Sequence, residues 1–233
     1  MRCFEGMVKT LYHGSEFVIK SPQFGVGRND NDYGQGFYCT ERIELAKEWA
    51  VADLHDGHAN RYTLDLDGLT VVDLDNQRRY TPLHWLAVLL ENREFDLGYG
   101  IALEVKKYIL ETFKVDYASA DVMTGFRADD SYFTFARDFL TGVISYPQLV
   151  RALRLGKLGT QTVVKSPRAF ARLRFEGEES ALRTEWLARK QERDQNARAA
   201  YFDARRNPVG RGELMAFQVW QEEVKPNDPR LFR

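Results

Sequence analysis

The sequence predicts an α+β fold: a body of short strands and helices, followed by a long charged helix. Three observations lead there. Short β-leaning runs alternate with runs at helical spacing between Val8 and Leu173. Asp67-Gly68 separates two segments of apolar–polar alternation, a strong hairpin signal. From Glu178 to Arg206 the pattern changes to dense charge of both signs. The division follows: a body over residues 1–177 and a helical extension and tail over 178–233.

Val8–Tyr12 reads as a strand, which His13-Gly14-Ser15 ends with a turn. Residues 21–36 hold Pro22 and four glycines among Asn and Asp, which makes them a loop. Gly36–Thr40 is aromatic and strand-like, and Thr40 suits the N-cap of a helix carrying Leu45, Trp49 and Ala52 on one face. That helix should run to about His55–His58, where Asp56 and Gly57 break it. Arg61–Leu66 and Leu69–Leu74 form the expected hairpin. Helices are expected over Pro82–Asn92 and Tyr99–Phe113, with Pro82 at a first helical turn. Ala120–Phe126 reads as a strand, Ser131–Leu140 and Tyr146–Leu155 as helices, and Thr160–Lys165 as a strand. Arg168–Leu173 is a short helical turn or strand. The helix expected over Glu178–Arg206 has a thin apolar stripe of Leu182, Trp186, Leu187, Tyr201 and Phe202, and Asn207-Pro208 ends it. One amphipathic stretch, Leu214–Val224, follows.

Composition narrows the class. Of 233 residues, 44% are hydrophobic and 13% aromatic, enough for a sizeable core and too many for wholesale disorder. No run reaches the ~18 apolar residues of a bilayer-spanning helix, and Met1–Lys9 has no signal-peptide pattern. Cys3 and Cys39 stand in no zinc or redox spacing, so the expectation is reduced thiols in the cytoplasm. The net charge of -1 hides an asymmetry. Residues 151–233 carry 18 basic and 11 acidic side chains, net +7, leaving 15 and 23, net -8, in the first 150. Such a basic third implies either a polyanionic or acidic partner, or docking on the acidic part of the same chain.

The histidines differ in what they imply. His55 and His58 are three apart at an expected helix end, but no third ligand accompanies them, so no metal site is expected. His84 sits among apolar helix residues and reads as structural. His13 ends a strand beside Gly14, where backbone can approach a ligand closely.

Leu11-Tyr12-His13-Gly14-Ser15, the glycine-rich loop, Tyr33-Gly34-Gln35-Gly36-Phe37-Tyr38-Cys39-Thr40 and a helix with Ala46, Trp49 and Ala50 resemble the NAD-binding signature of the ADP-ribosyltransferases. The likeness is to their His–Tyr–Glu class, and within it to a bacterial domain-of-unknown-function family of toxin-like modules. It extends from about Lys9 to Phe175. The resemblance implies an ADP-ribosyltransferase-like split β-sheet body with inserted helices, with NAD as substrate. His13 would hydrogen-bond the adenosine ribose, Gly14 the nicotinamide amide through its backbone, and Ser15 would bond near the ribose. Tyr38 would stack on the nicotinamide ring and fix the leaving group. Arg28, in the glycine-rich loop, would pair with the pyrophosphate; the other reading is a surface arginine.

One position departs from the class. Its late strand carries glutamate, and this chain offers Gln161. An amide oxygen can accept from a ribose 2′-hydroxyl but supplies no charge to an oxocarbenium-like state. Three readings follow: a slow or single-transfer enzyme, a substitute carboxylate, or an NAD binder without catalysis. Asp129-Asp130 is the candidate substitute, and Asp130 joins Gln161 and Tyr38 as an expected catalytic residue. The other reading of the aspartate pair is N-capping of the Ser131 helix. The expected function is a mono-ADP-ribosyltransferase acting as an intracellular toxin on a protein or nucleic-acid acceptor, with an antitoxin as a further partner. The alternatives are an NAD or ADP-ribose binding module, and a nucleic-acid binder using the basic C-terminal helix.

Overall fold

The computed structural model describes residues 6–98, 100–127, 130–155 and 159–232. Within them lie a seven-stranded mixed sheet and eight α-helices. The strands are β1 (Val8–Ser15), β2 (Phe37–Thr40), β3 (Gly57–Asp65), β4 (Val71–Asp73), β5 (Val122–Phe126), β6 (Thr160–Val164) and β7 (Leu173–Ala181). The helices are α1 (Ile43–Ala50), α2 (Pro82–Asn92), α3 (Ile101–Thr112), α4 (Asp130–Leu140), α5 (Tyr146–Ala152), α6 (Pro167–Phe170), α7 (Arg183–Arg206) and α8 (Ala216–Gln221). The strand order is β4-β5-β6-β2-β1-β3-β7, antiparallel throughout except for the β4–β5 pair.

Alternation along the strands sorts side chains onto two faces. On one, Leu11, Cys39, Leu64, Val122 and Val164 close over Ala169 of α6. On the other, Met123 and Val163 meet α2, α4 and the C-terminal helices in the main core. Helix α2 is apolar all round, and Leu83 to Leu90 are all buried, as expected of a helix inside a core. Thr81 and His84 cap it reciprocally, the Thr81 amide donating to His84 Nδ1 at 2.9 Å, which accounts for His84 structurally.

Several boundaries differ from expectation, for reasons of pairing. Asp67-Gly68 does turn, with Gly68 at φ 64° and the Leu69 amide donating to Leu66 oxygen at 3.0 Å. No hairpin follows, because β3 is already flanked by β1 and β7. The chain crosses instead to the far edge, where β4 lies parallel to β5. His13, Gly14 and Ser15 do not end β1 but belong to it, paired with Asn60, Ala59 and His58 of a β3 that starts at Gly57. His55 and His58 therefore share no helix; α1 has ended at Ala50. Thr40 is no N-cap either. It is held in the ladder opposite Tyr12 and Gln161, and its hydroxyl accepts from the Arg42 amide at 3.2 Å just before α1.

Glu178–Ala181 are strand, not helix, since they pair with Gly57–Asn60. Helix α7 thus starts at Arg183, buries Trp186, Ala197 and Tyr201, and leaves Leu182 and Phe202 exposed. It docks on the body through charge. Arg193 Nε donates to Glu48 at 2.6 Å, Tyr201 hydroxyl to Asp138 at 2.6 Å, and Arg205 lies 3.2 Å from Asp138. Part of the basic segment is therefore matched by the acidic body. Among the described residues no helix is long and apolar enough to cross a membrane.

Candidate functional site

The ladder between β1 and β2 is the shortest in the described sheet. Their only register pair is Tyr12 with Thr40. Beyond it a side chain, not the ladder, spans the gap: His13 Nδ1 donates to the Tyr38 carbonyl at 2.7 Å. That bond fixes the tautomer, leaving Nε2 as the acceptor of a neutral ring. Burial holds the His13 pKa below its ordinary 6.5 despite the opposing effect of this bond. The imidazole stacks on Phe37 with centroids 4.3 Å apart.

Gly14 is where α1 rests on β1. A Cβ there would stand 2.0 Å from the Ala46 carbonyl oxygen and 2.9 Å from the Ala50 amide nitrogen. Helix α1 also brings Trp49, whose ring carries the Arg127 guanidinium at 3.9 Å and whose Nε1 is buried with no hydrogen-bond partner among the described residues. Ser15 hydroxyl donates to Phe17 oxygen and accepts from Asn60 Nδ2 at 3.2 Å. Asn60, fully buried, also donates to the His13 and Phe17 carbonyls and accepts from the Ile19 amide at 2.9 Å. It ties the end of β1 to the loop that follows. Asn60 continues the inward set of Tyr62 and Leu64, so a polar residue at an apolar period was the available signal.

Tyr38 is half-buried. Its hydroxyl donates to Gly34 oxygen at 2.6 Å and accepts from the Tyr33 amide at 3.0 Å. Burial raises its pKa above the ordinary tyrosine value. Gly34 sits at φ 70°, a backbone conformation that favours glycine, and a Cβ there would have to displace the Asn92 side-chain oxygen at 2.6 Å. Lys165 Nζ donates to the Tyr33 and Gln35 carbonyls, and desolvation lowers its pKa. The loop before β2 is thus anchored from both sides.

Gln161 lies on β6 opposite Thr40 of β2 and Gly125 of β5, and is buried. Its Nε2 donates to Asp32 Oδ2 at 3.2 Å. Asp32 is 8% exposed, and Arg93 Nε approaches its other oxygen at 4.0 Å. The buried Tyr33 ring, whose hydroxyl donates to Phe126 oxygen at 2.6 Å, also interacts with Gln161. Asp32 was not legible in the sequence. It is one of several Asn and Asp residues in the loop, and nothing local links it to β6.

The other expected residues are placed as follows. Arg28 is exposed and bidentate to Asp30 at 2.9 and 2.6 Å, a pairing that pulls the Asp30 pKa down to about 2. It lines an open cavity of about 1010 Å³ with Asp30, Arg93, Lys106 and Phe133. Asp130 is the first residue of α4, and Asp129 lies outside the described residues. Strands β1, β2 and β6 thus bring His13, Gly14, Ser15, Tyr38 and Gln161 onto neighbouring strands; the arrangement does not place Arg28 among them. No group of three or more His, Cys, Asp or Glu suited to a metal is present among the described residues.

The span from β1 into β7 carries a family signature. The chain belongs to DUF3990, a family of proteins of unknown function. The family model matches residues 9–175. No curated protein and no solved structure shows significant similarity to the chain. The DUF3990 match stops within β7, so α7 and α8 lie beyond it.

Proposed function

We propose that this DUF3990 protein is an NAD-dependent mono-ADP-ribosyltransferase with a split-sheet site of the His–Tyr–Glu type. The observation that carries the reading is the short ladder between β1 and β2, with His13 on one strand, Tyr38 on the next and Gln161 on β6 beyond it. NAD would lie across it, the neutral His13 accepting from a ribose hydroxyl through Nε2 and Tyr38 facing the nicotinamide. Gly14 and Ser15 would meet the nicotinamide-ribose end, and Arg28, on its loop, the pyrophosphate. Gln161 would accept from the ribose 2′-hydroxyl. In the reaction the C1′–N bond breaks with its electron pair leaving on nicotinamide. A lone pair of the acceptor forms the new bond at C1′, and the acceptor's proton passes to solvent.

The acceptor is a macromolecule, protein or nucleic acid, and the role is that of a cytoplasmic toxin held in check by an antitoxin protein. Incubating the protein with labelled NAD and a cell lysate, then digesting with protease or nuclease, tests this. Label that one digestion releases identifies the acceptor class, and no label with nicotinamide release at background rejects the transferase reading. A second reading, an NAD or ADP-ribose binding module, is favoured by one observation: an amide stands where the class has its carboxylate. Calorimetric NAD binding without turnover would establish that reading.

A further inference from the structure

The transferase chemistry needs negative charge near the ribose, and among the described residues a carboxylate bonded to Gln161, Asp32, comes from a different part of the chain. Asp32 and Gln161 are both buried, and Asp32 Oδ2 takes the amide hydrogen of Gln161 at 3.2 Å. The loop that presents Asp32 is anchored by the Tyr38 hydroxyl on Gly34 oxygen, by Lys165 on the Tyr33 and Gln35 carbonyls, and by Arg93 on the Asp30 carbonyl at 2.8 Å. An amide can lie either way round, but only one way puts a donor against a carboxylate. With its nitrogen committed to Asp32, Gln161 has its carbonyl oxygen left for a donor other than that carboxylate.

We propose that Asp32 is the positioning residue for Gln161: it holds the amide with its carbonyl toward the ribose 2′-hydroxyl and supplies, one group removed, the negative charge Gln161 lacks. The inference rests on the transferase reading above. A carboxylate delivered by the loop and an amide on the strand divide between them what a single glutamate does in the His–Tyr–Glu class. Asp32→Asn is near-isosteric, yet it removes the charge and lets the Gln161 amide lie either way round.

The test compares nicotinamide release by the full-length wild type, Asp32→Asn, Gln161→Glu and the double variant Asp32→Asn/Gln161→Glu, with NAD binding measured in parallel. Asp32→Asn should lower kcat about 10–100-fold, with KM for NAD within about threefold, less than the 10²–10³-fold typical of a donor or acceptor lost at the reacting centre. Gln161→Glu sets two carboxylates against each other, so they share a proton and a new ionisation should enter the pH–rate profile. The double variant moves the charge onto the strand with an amide beside it, and should recover at least 10-fold over Asp32→Asn without that ionisation. A purely structural Asp32 predicts no such rescue. Wild-type release that Asp32→Asn leaves within about threefold, or a double variant no better than Asp32→Asn, overturns this inference alone. Wild-type release at background overturns the transferase reading, and this inference with it.

Discussion

At the scale of single residues, Gly14 decides how close α1 comes to β1. Gly14→Ala drives a methyl into the Ala46 carbonyl, which is backbone and cannot rotate away. Overpacking of this kind costs about 1–3 kcal/mol, so the denaturation midpoint should fall measurably and α1 should lose hydrogen-exchange protection. Tyr38 does two things at once: its ring packs against the main core while its hydroxyl holds Tyr33 and Gly34. From ring chemistry alone Tyr38→Phe should be much milder than Tyr38→Ala. The hydroxyl contacts imply that Phe also loosens the loop, at about 1–3 kcal/mol for the groups left unpaired. Titration calorimetry should give NAD affinity in the order wild type, Phe, Ala. His13 carries a pH dependence whose sign follows from its burial. Its folded pKa is below 6.5, so the unfolded chain protonates first as pH falls. The contribution to stability is complete above pH 6.5 and is lost as pH drops through the depressed folded value. NAD affinity should follow, flat from pH 8 to 7 and weakening in acid, because protonation removes the Nε2 acceptor. His84 is shifted in the same direction by burial, so His13→Gln should remove only part of the acid loss in stability.

At the scale of elements, α7 shows how a charged helix becomes part of a fold. Its spacing reads as a solvated helix, and most of it is one, but Arg193 meets Glu48 of α1 with both side chains largely buried. Breaking one partner of a buried pair costs about 3–5 kcal/mol when the other is left uncompensated, and the lower end applies here because Arg193 also reaches Asp194 at 3.1 Å. Glu48→Ala should therefore destabilise strongly, in urea or thermal melts, while Glu185→Ala, an exposed partner of Arg189 within the same helix, should be within about 0.5 kcal/mol of wild type. Elements with their own local signals were legible. Pro82 and the apolar run marked α2, the helical spacing over Tyr146–Leu155 marked α5, and the aromatic run marked β2. Where strands pair was not legible. Asp67-Gly68 specifies a turn over four residues, but whether the next segment pairs back depends on which edges are already occupied.

At the scale of the whole molecule, the boundary read at Gly177 falls inside β7, and the segments beyond it complete the body. Ala181, Tyr201, Leu214, Ala216, Val219, Val224 and Leu231 are buried, and Tyr146 hydroxyl donates to Leu231 oxygen at 3.0 Å. A chain ending at Gly177 should thus be insoluble or unfold well below the full-length protein in a thermal melt. A soluble, equally stable truncation would restore the division into body and appendage. By itself the sequence determined the kinds of elements, their approximate limits, and the His13–Gly14 and Gly36–Tyr38 segments that a site would use, because capping, alternation and glycine spacing act over a few residues. Only the tertiary structure decided that β4 joins β5, that α7 docks on α1 and α4, and that Asp32 meets Gln161 across 129 positions of sequence. Those outcomes depend on which edges and buried polar groups remain to be satisfied once the rest of the chain is in place, and no local pattern carries that information.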